Sequence, residues 1–416
     1  VTRDRRPRLL AVADSDSYVK WAAATLGSAG DGWRPELVVL ETPLVASPAQ
    51  QRAALCGSGV PEEAVTRRNL SGLLERLRAD PPAAVLLAAR GPVVRVLARE
   101  VAELHPRPVI VSGLPGIAIP ATRKALVYRA QCDLLVLHSH RERREFAALA
   151  AEHGDAVTQR FALATLPFLQ GGGDERAGHG GTDLVFAAQA VVPRERGDRE
   201  RVARLLVRAA EAHPERRVVV KLRATAGERQ THDETDAYPD LLAALGVLPP
   251  NVVLSTAPMA EALDEAEGLL TVSSTAAIEA VAREIPVLAL DTFGVSAEMI
   301  NLVFAGSGLL GDEDDVVARR FRHAEPRWRI DNYLHSAGDD DWREQLAELV
   351  GLRRAGVLPP RASWSRRGGM LRDAWERKQV LGPLDRSPSG VLAGVVGVPL
   401  RGVVRTVQRM ARARAA

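Results

Sequence analysis

Leu269-Leu270-Thr271-Val272-Ser273-Ser274-Thr275-Ala276-Ala277-Ile278-Glu279-Ala280, followed by Ile285-Pro286-Val287-Leu288-Ala289-Leu290, reads as strand, hydroxyl-rich turn, helix and strand. Three consecutive hydroxyl residues, Ser273, Ser274 and Thr275, stand where the helix begins. A helix start carries unpaired N–H groups and partial positive charge, which together hold a phosphate. The hydroxyls add hydrogen-bond donors to the same anion. Glu279 lies one turn further in, within reach of a polar neighbour such as a ribose. The same residues also suit plain N-capping by Ser274 or Thr275, which needs no ligand.

Working outward, a strand–helix rhythm fills both halves of the chain. Short apolar runs without alternation mark strands buried on both faces at Leu9–Ala13, Leu37–Leu40, Ala83–Ala88, Val109–Ser112 and Leu134–His138. Helical patterns at Glu62–Arg78, Val93–Glu103 and Arg141–Glu152 lie between them. The run from Gly171 to Gly181 contains six glycines and has the composition of a linker. It lacks the Gly-Lys-Ser/Thr ending of a phosphate loop. The rhythm then restarts. Strands are expected at Leu184–Ala188, Arg217–Lys221 and Val252–Ser255, with helices at Arg199–His213, Tyr238–Leu245 and Met259–Glu267.

This alternation predicts an α/β chain of two doubly wound, Rossmann-like domains with a helical C-terminal tail. The expected division is a first domain over 1–170, a linker over 171–181 and a second domain over 182–320. A helical extension over 321–398 packs back, and a tail over 399–416 follows. Ligands of open α/β sheets sit outside the carboxyl ends of the strands, so the two domains should face one cleft.

Composition narrows the function classes. The 416 residues are 46% hydrophobic and 26% charged, as in ordinary globular proteins. Cys56 and Cys132 have neither metal spacing nor a partner motif, which points to a reducing compartment. The apolar run after the basic start is too short for a signal peptide, and no stretch has the length of a membrane-spanning helix. The expectation is a cytoplasmic protein. From Arg361 to the end, twelve Lys or Arg stand against three acids, so the preceding 360 residues carry −6 of the total +3. A nucleic-acid protein more often spreads basic charge over its body, so no nucleic-acid partner is expected. The tail from Pro399 places Arg401, Arg405, Arg409 and Arg412 on one helical face and Val403, Val404, Val407 and Met410 on another. That pattern fits a helix lying on an anionic membrane; it equally fits valines packed on the protein with solvated arginines.

Three segments carry a family resemblance: Asp183-Leu184-Val185-Phe186-Ala187-Ala188-Gln189, then Ala212-His213-Pro214-Glu215-Arg216-Arg217-Val218-Val219-Val220-Lys221, then Ser273 to Ala280. In order and spacing, over about residues 183 to 311, they resemble the donor domain of GT-B glycosyltransferases. The most similar sub-pattern is that of bacterial capsule-polysaccharide transferases, including β-Kdo and sialyl- or polysialyltransferases. The resemblance implies a nucleotide-sugar donor held by Gln189, Lys221, Ser273, Ser274, Thr275 and Glu279, and a glycan or lipid-linked acceptor. That family commonly reads Lys-Pro-His-Pro after its second donor strand, whereas this chain reads Lys221-Leu222-Arg223-Ala224. Arg223 would then supply a permanent cation with fork geometry in place of the His. Lys221 and Arg223 also read as an ordinary solvated loop pair.

An inverting transferase needs a base for the acceptor hydroxyl. Asp14 and Asp16, just after the first strand, are the candidates, with Asp14 preferred because Asp16 or Ser17 suits a helix cap. Asp341 with Glu344 reads as a capping pair rather than a metal site. No metal and no cofactor are expected. A nucleotide-sugar 2-epimerase and a non-catalytic two-domain nucleotide- or sugar-binding protein are the competing functions.

Overall fold

A computed structural model describes residues 6–44, 48–153, 159–169, 180–222, 236–361 and 369–395. The first seven strands are β1 (Arg8–Ala13), β2 (Arg34–Leu40), β3 (Val65–Arg68), β4 (Ala84–Ala88), β5 (Val109–Gly113), β6 (Leu134–Leu137) and β7 (Arg160–Leu163). They form one parallel sheet in the order β3-β2-β1-β4-β5-β6-β7. Helices α1 (Asp16–Ser28), α2 (Pro48–Leu55), α3 (Leu70–Ala79), α4 (Gly91–Ala102), α5 (Arg123–Tyr128) and α6 (His140–Ala151) connect them. The second sheet holds β8 (Asp183–Ala187), β9 (Val218–Lys221), β10 (Val252–Ser255), β11 (Ala266–Thr271), β12 (Val287–Leu290) and β13 (Leu310–Gly311). Its order, β10-β9-β8-β11-β12-β13, repeats the first six places of the first sheet, without a counterpart of β7, again all parallel. Helices α7 (Arg196–Ala212), α8 (Tyr238–Ala243), α9 (Met259–Asp264), α10 (Ala276–Ala282) and α11 (Glu313–Val317) serve this sheet.

The central strands are buried along their whole length, which is why they show unbroken apolar runs. In each sheet the order reverses between two central strands, β1/β4 and β8/β11. A crevice opens at such a reversal.

The chain then returns to the first domain. After α12 (Pro326–Asp331), helix α13 (Trp342–Arg354) buries Trp342, Leu346, Leu349 and Val350 in the first domain's core. Helix α14 (Gly369–Leu381) packs along α4, with Leu381 in the adjoining core and an Arg95–Glu376 ion pair at 3.1 Å. Turns and irregular chain separate these helices, as over 332–341 and 355–361.

Two local expectations need correction. The pattern read as one helix over Glu62–Arg78 contains the edge strand β3, and α3 starts only at Leu70. Asn69 caps α3 through its side chain, accepting from the Gly72 amide at 2.9 Å, and the buried leucines 70, 73, 74 and 77 take helical spacing only from that point. Asp341 precedes α13 but makes no side-chain cap. Its carboxylate accepts instead from the Leu163 amide at 2.7 Å and from Arg143 at 3.1 Å, joining the returning chain to the end of β7.

Candidate functional site

At the reversal point of each sheet, the residues leaving the two flanking strands are bonded to one another. In the first sheet Asp14 follows β1 and Arg90 follows β4. Arg90 donates from Nε to Asp14 Oδ2 at 2.7 Å and from its backbone N–H to Oδ1 at 3.2 Å. Ser15 Oγ adds a donor at 3.3 Å, and Asp14 is 0% exposed. The backbone amide and the guanidinium together fill lone pairs that a base must keep open. Asp16 is the first residue of α1 and is exposed. Of the two carboxylates named from sequence, the structure thus buries the preferred one and leaves the other accessible. The cap of α1 falls to Ser15 by position, without a side-chain bond.

In the second sheet Gln189 follows β8 and Ser273 follows β11. Gln189 Oε1 accepts from the Ser273 amide at 2.8 Å. The Gln189 carbonyl in turn accepts from Arg199 at 2.9 Å. Gln189 is therefore a clamp that shapes the turn. The three hydroxyls of that turn have different fates. Ser273 is buried and its Oγ donates to the Ile300 carbonyl. Ser274 Oγ accepts from the Ala276 amide at 3.2 Å, and its own amide donates to Thr271 Oγ1 at 2.9 Å. Thr275, at the N-cap position of α10, makes no side-chain cap bond and is half-buried. Among the described residues it alone of the three offers a hydroxyl without a hydrogen bond. Lys221 ends β9, is buried, and donates to the Leu222 carbonyl. Arg223 lies outside the described residues, as do the linker residues 171–179 and the tail 399–416.

The two faces meet. The loop after β5 crosses to the second domain, where Ile119 is buried in the core that also holds Ala276 and Ala277 of α10. A Cβ added at Gly116 would lie 3.2 Å from Thr275 Cγ2, so the loop lies close against the turn. Glu279 is half-buried on α10. Burial raises its pKa, opposed by Lys20 of α1 from the other domain and by Arg283.

Behind this contact a buried pair fixes the loop. The Tyr333 hydroxyl donates to Glu142 Oε1 at 2.5 Å, and the Ala118 amide reaches the same oxygen at 2.8 Å. The His138 amide donates to Oε2 at 2.9 Å. Burial raises the Glu142 carboxyl, and these three donors partly offset it. Outside it, Arg144 grips Asp331 with two bonds of 2.6 and 2.7 Å. Arg90, Lys20, Glu142 and Tyr333 were not singled out from sequence. Arg90-Gly91-Pro92 after an apolar run did carry a signal, since proline in the first turn of α4 places Arg90 at a strand end. Among the described residues no group of three or more His, Cys, Asp or Glu is arranged to hold a metal.

Residues 9–349 match the model of a family described as "Putative glycosyltransferase (DUF6716)". The chain belongs to this family. No curated protein matches it. Among solved structures it is similar to the UDP-GlcNAc 2-epimerase of Methanocaldococcus jannaschii, solved with UDP-GlcNAc and UDP, at TM-score 0.54 and 12% identity. That match covers 83% of this chain and 99% of the other. It is also similar to the UDP-GlcNAc 2-epimerase from Neisseria meningitidis bound to UDP-GlcNAc, at TM-score 0.51 and 10% identity, covering 83% and 100%. At such identities the likeness establishes the fold: two Rossmann-like domains in a GT-B-like arrangement with a helical C-terminal extension.

Proposed function

We propose that the chain transfers a sugar from a nucleotide-sugar donor to a glycan or lipid-linked acceptor. The observation that carries this reading is the contact between the loop after β5, at Gly116, and Thr275, whose hydroxyl makes no side-chain cap bond at the start of α10. In this reading the donor phosphate lies at Thr275, and the Glu279 carboxylate meets a donor hydroxyl. The Gln189 clamp and the Ser273 and Ser274 bonds hold the turn in shape before the donor arrives. The acceptor oxygen attacks the anomeric carbon as the bond from that carbon to the phosphate oxygen breaks. Charge gathering on the leaving phosphate is met by the α10 start and by Lys221, aided by Arg223. The acceptor proton passes to Asp16, the accessible carboxylate on the first domain, while Asp14 holds Arg90 in place. The capsule-transferase pattern in residues 183–311 supports a saccharide acceptor. The basic amphipathic tail 399–416 supports an acceptor at an anionic membrane. Cationic side chains and amides supply the counter-charge, so no step passes through a metal.

The test is nucleotide release from a panel of CMP-, UDP-, GDP- and TDP-sugars with an oligosaccharide or lipid-linked acceptor. One donor should turn over only when an acceptor is present, and EDTA should leave the rate unchanged. Asp16→Asn should lower turnover by about 10²–10⁴-fold, the range for a lost general base, with donor affinity intact. Conversion of UDP-GlcNAc to its 2-epimer without acceptor would replace this reading by the epimerase one. Donor binding without turnover across the panel would favour a non-catalytic binding protein.

A further inference from the structure

Helix α14 doubles back on itself. A short turn over Gly382–Leu384 leads into a second helix over 388–395. Buried Asp385 ties the two: Lys378 donates to its carbonyl at 2.9 Å, and Arg377 reaches its carboxylate at 3.2 Å. A Cβ on Gly394 would lie 3.6 Å from Lys378 Cε, so the second helix runs back alongside the first. One side of this hairpin is committed to the protein through Ala374, Leu381 and Ala393, all nearly inaccessible. The other side is bare. Leu384, Val391, Leu392 and Val395 are 45%, 52%, 59% and 69% exposed, and Met370 and Leu371 are 88% and 49% exposed. Val391 and Val395 are one helical turn apart, so they form a stripe rather than scattered surface residues.

Charge and chain direction identify what covers this stripe. From Arg386 to the end the sequence holds six arginines and no acid. The stripe itself is aliphatic, and the sequence that follows Asp385 carries charge of one sign. Nucleic acid would use the charge but not the aliphatic stripe; a bilayer of anionic lipid uses both. The position fits as well. The hairpin lies antiparallel on α4: Asp373 pairs with Arg99 and Glu376 with Arg95, which brings the Gly382 turn to the end of α4 that starts at Arg90. There a Cβ on Gly382 would sit 3.4 Å from Pro43 Cγ, next to Thr42, whose hydroxyl donates to the Asp14 carbonyl at 3.5 Å.

We infer that the hairpin of α14 and the helix 388–395 is a docking face for an anionic bilayer, and that it sets the rim of the first domain's half of the cleft against the lipid surface. The inference rests on the membrane reading of the tail and extends it to a surface already folded on the domain. It makes the acceptor a lipid-anchored saccharide whose reacting hydroxyl enters from the Arg90 side.

The experiment is co-sedimentation of the full chain with phosphatidylcholine–phosphatidylglycerol vesicles and with pure phosphatidylcholine vesicles. The full chain should bind the anionic vesicles and much less the neutral ones. The triple variant Val391→Ser, Leu392→Ser, Val395→Ser should bind roughly tenfold or more weakly, because it removes apolar burial while every arginine stays. Its melting temperature should match the parent, since all three positions are exposed. Leu392→Trp gives a second readout: its emission should shift to the blue on adding anionic vesicles. Unchanged binding by the triple variant, with no Trp shift, overturns the docking face even if removal of 396–416 abolishes binding. No vesicle binding by the full chain overturns both the hairpin and the tail, but not glycosyl transfer, which soluble-acceptor turnover tests independently. A concentration-dependent dimer that the triple variant loses would show that a second copy covers the stripe, and would also overturn the inference.

Discussion

Asp14 is a carboxylate whose function follows from its neighbours. Fully buried and held by the Arg90 backbone amide, the Arg90 guanidinium and Ser15, it positions a cation at the reversal point of the first sheet. Asp14→Asn should cost about 2 kcal/mol in urea unfolding, less than for breaking a wholly buried pair because Arg90 is partly exposed. Normal stability with turnover abolished would instead make Asp14 the base. His138 makes a pH-dependent prediction. Trp21 Nε1–H donates to its Nε2 at 2.8 Å, so Nδ1 carries the proton and donates to the Ala164 carbonyl at 2.7 Å. Burial lowers its pKa to about 4, partly offset by that carbonyl. The unfolded chain takes up this proton near pH 6.5 and the folded one only near 4, so the contribution is complete above 6.5 and is lost as pH falls between them. The loss is of order 3 kcal/mol. Melting temperature against pH should fall across that window in the parent and fall less steeply in His138→Gln. Identical slopes would show that other groups govern acid stability.

At the scale of elements, α13 is a part of the first domain supplied from the far end of the chain. Trp342 is 2% exposed within a core otherwise built from β1, α1, β4 and their neighbours. Trp342→Ala should destabilise by about 3–5 kcal/mol, seen as earlier urea unfolding of the first domain, with nucleotide affinity retained below the transition. A loss confined to the second domain would contradict this packing. The elements differed in how far they were legible in the sequence. Fully buried strands such as β4 and β12 announce themselves as apolar runs, because both faces are covered. β3, Val-Thr-Arg-Arg, lies at the sheet edge with neither an apolar run nor clear alternation, and so it merged with the next helix. At the site, the hydroxyl-rich turn was legible because it is contiguous. The fate of Ser273 was not, since it depends on Ile300 and Gln189, distant in sequence. The Arg90 pairing with Asp14 spans 76 positions, and no local pattern shows it.

At the scale of the molecule, two copies of one sheet order face each other, joined by the Tyr333–Glu142 bond, the Arg144–Asp331 fork and the returning helices. Where they touch, Gly116 of one domain lies against Thr275 of the other. The central claim is that a nucleotide-sugar phosphate is held there. Its most direct test is titration calorimetry of the parent and of Thr275→Val with CMP, CDP, UDP, GDP and TDP. The substitution keeps the shape of the side chain and removes only the hydroxyl that the fold leaves open. The parent should bind at least one of these nucleotides, and Thr275→Val should bind it about 1.5–3 kcal/mol more weakly, the cost of a hydrogen bond to a charged group. Equal affinity in the two proteins, or no nucleotide bound by the parent, would contradict the account.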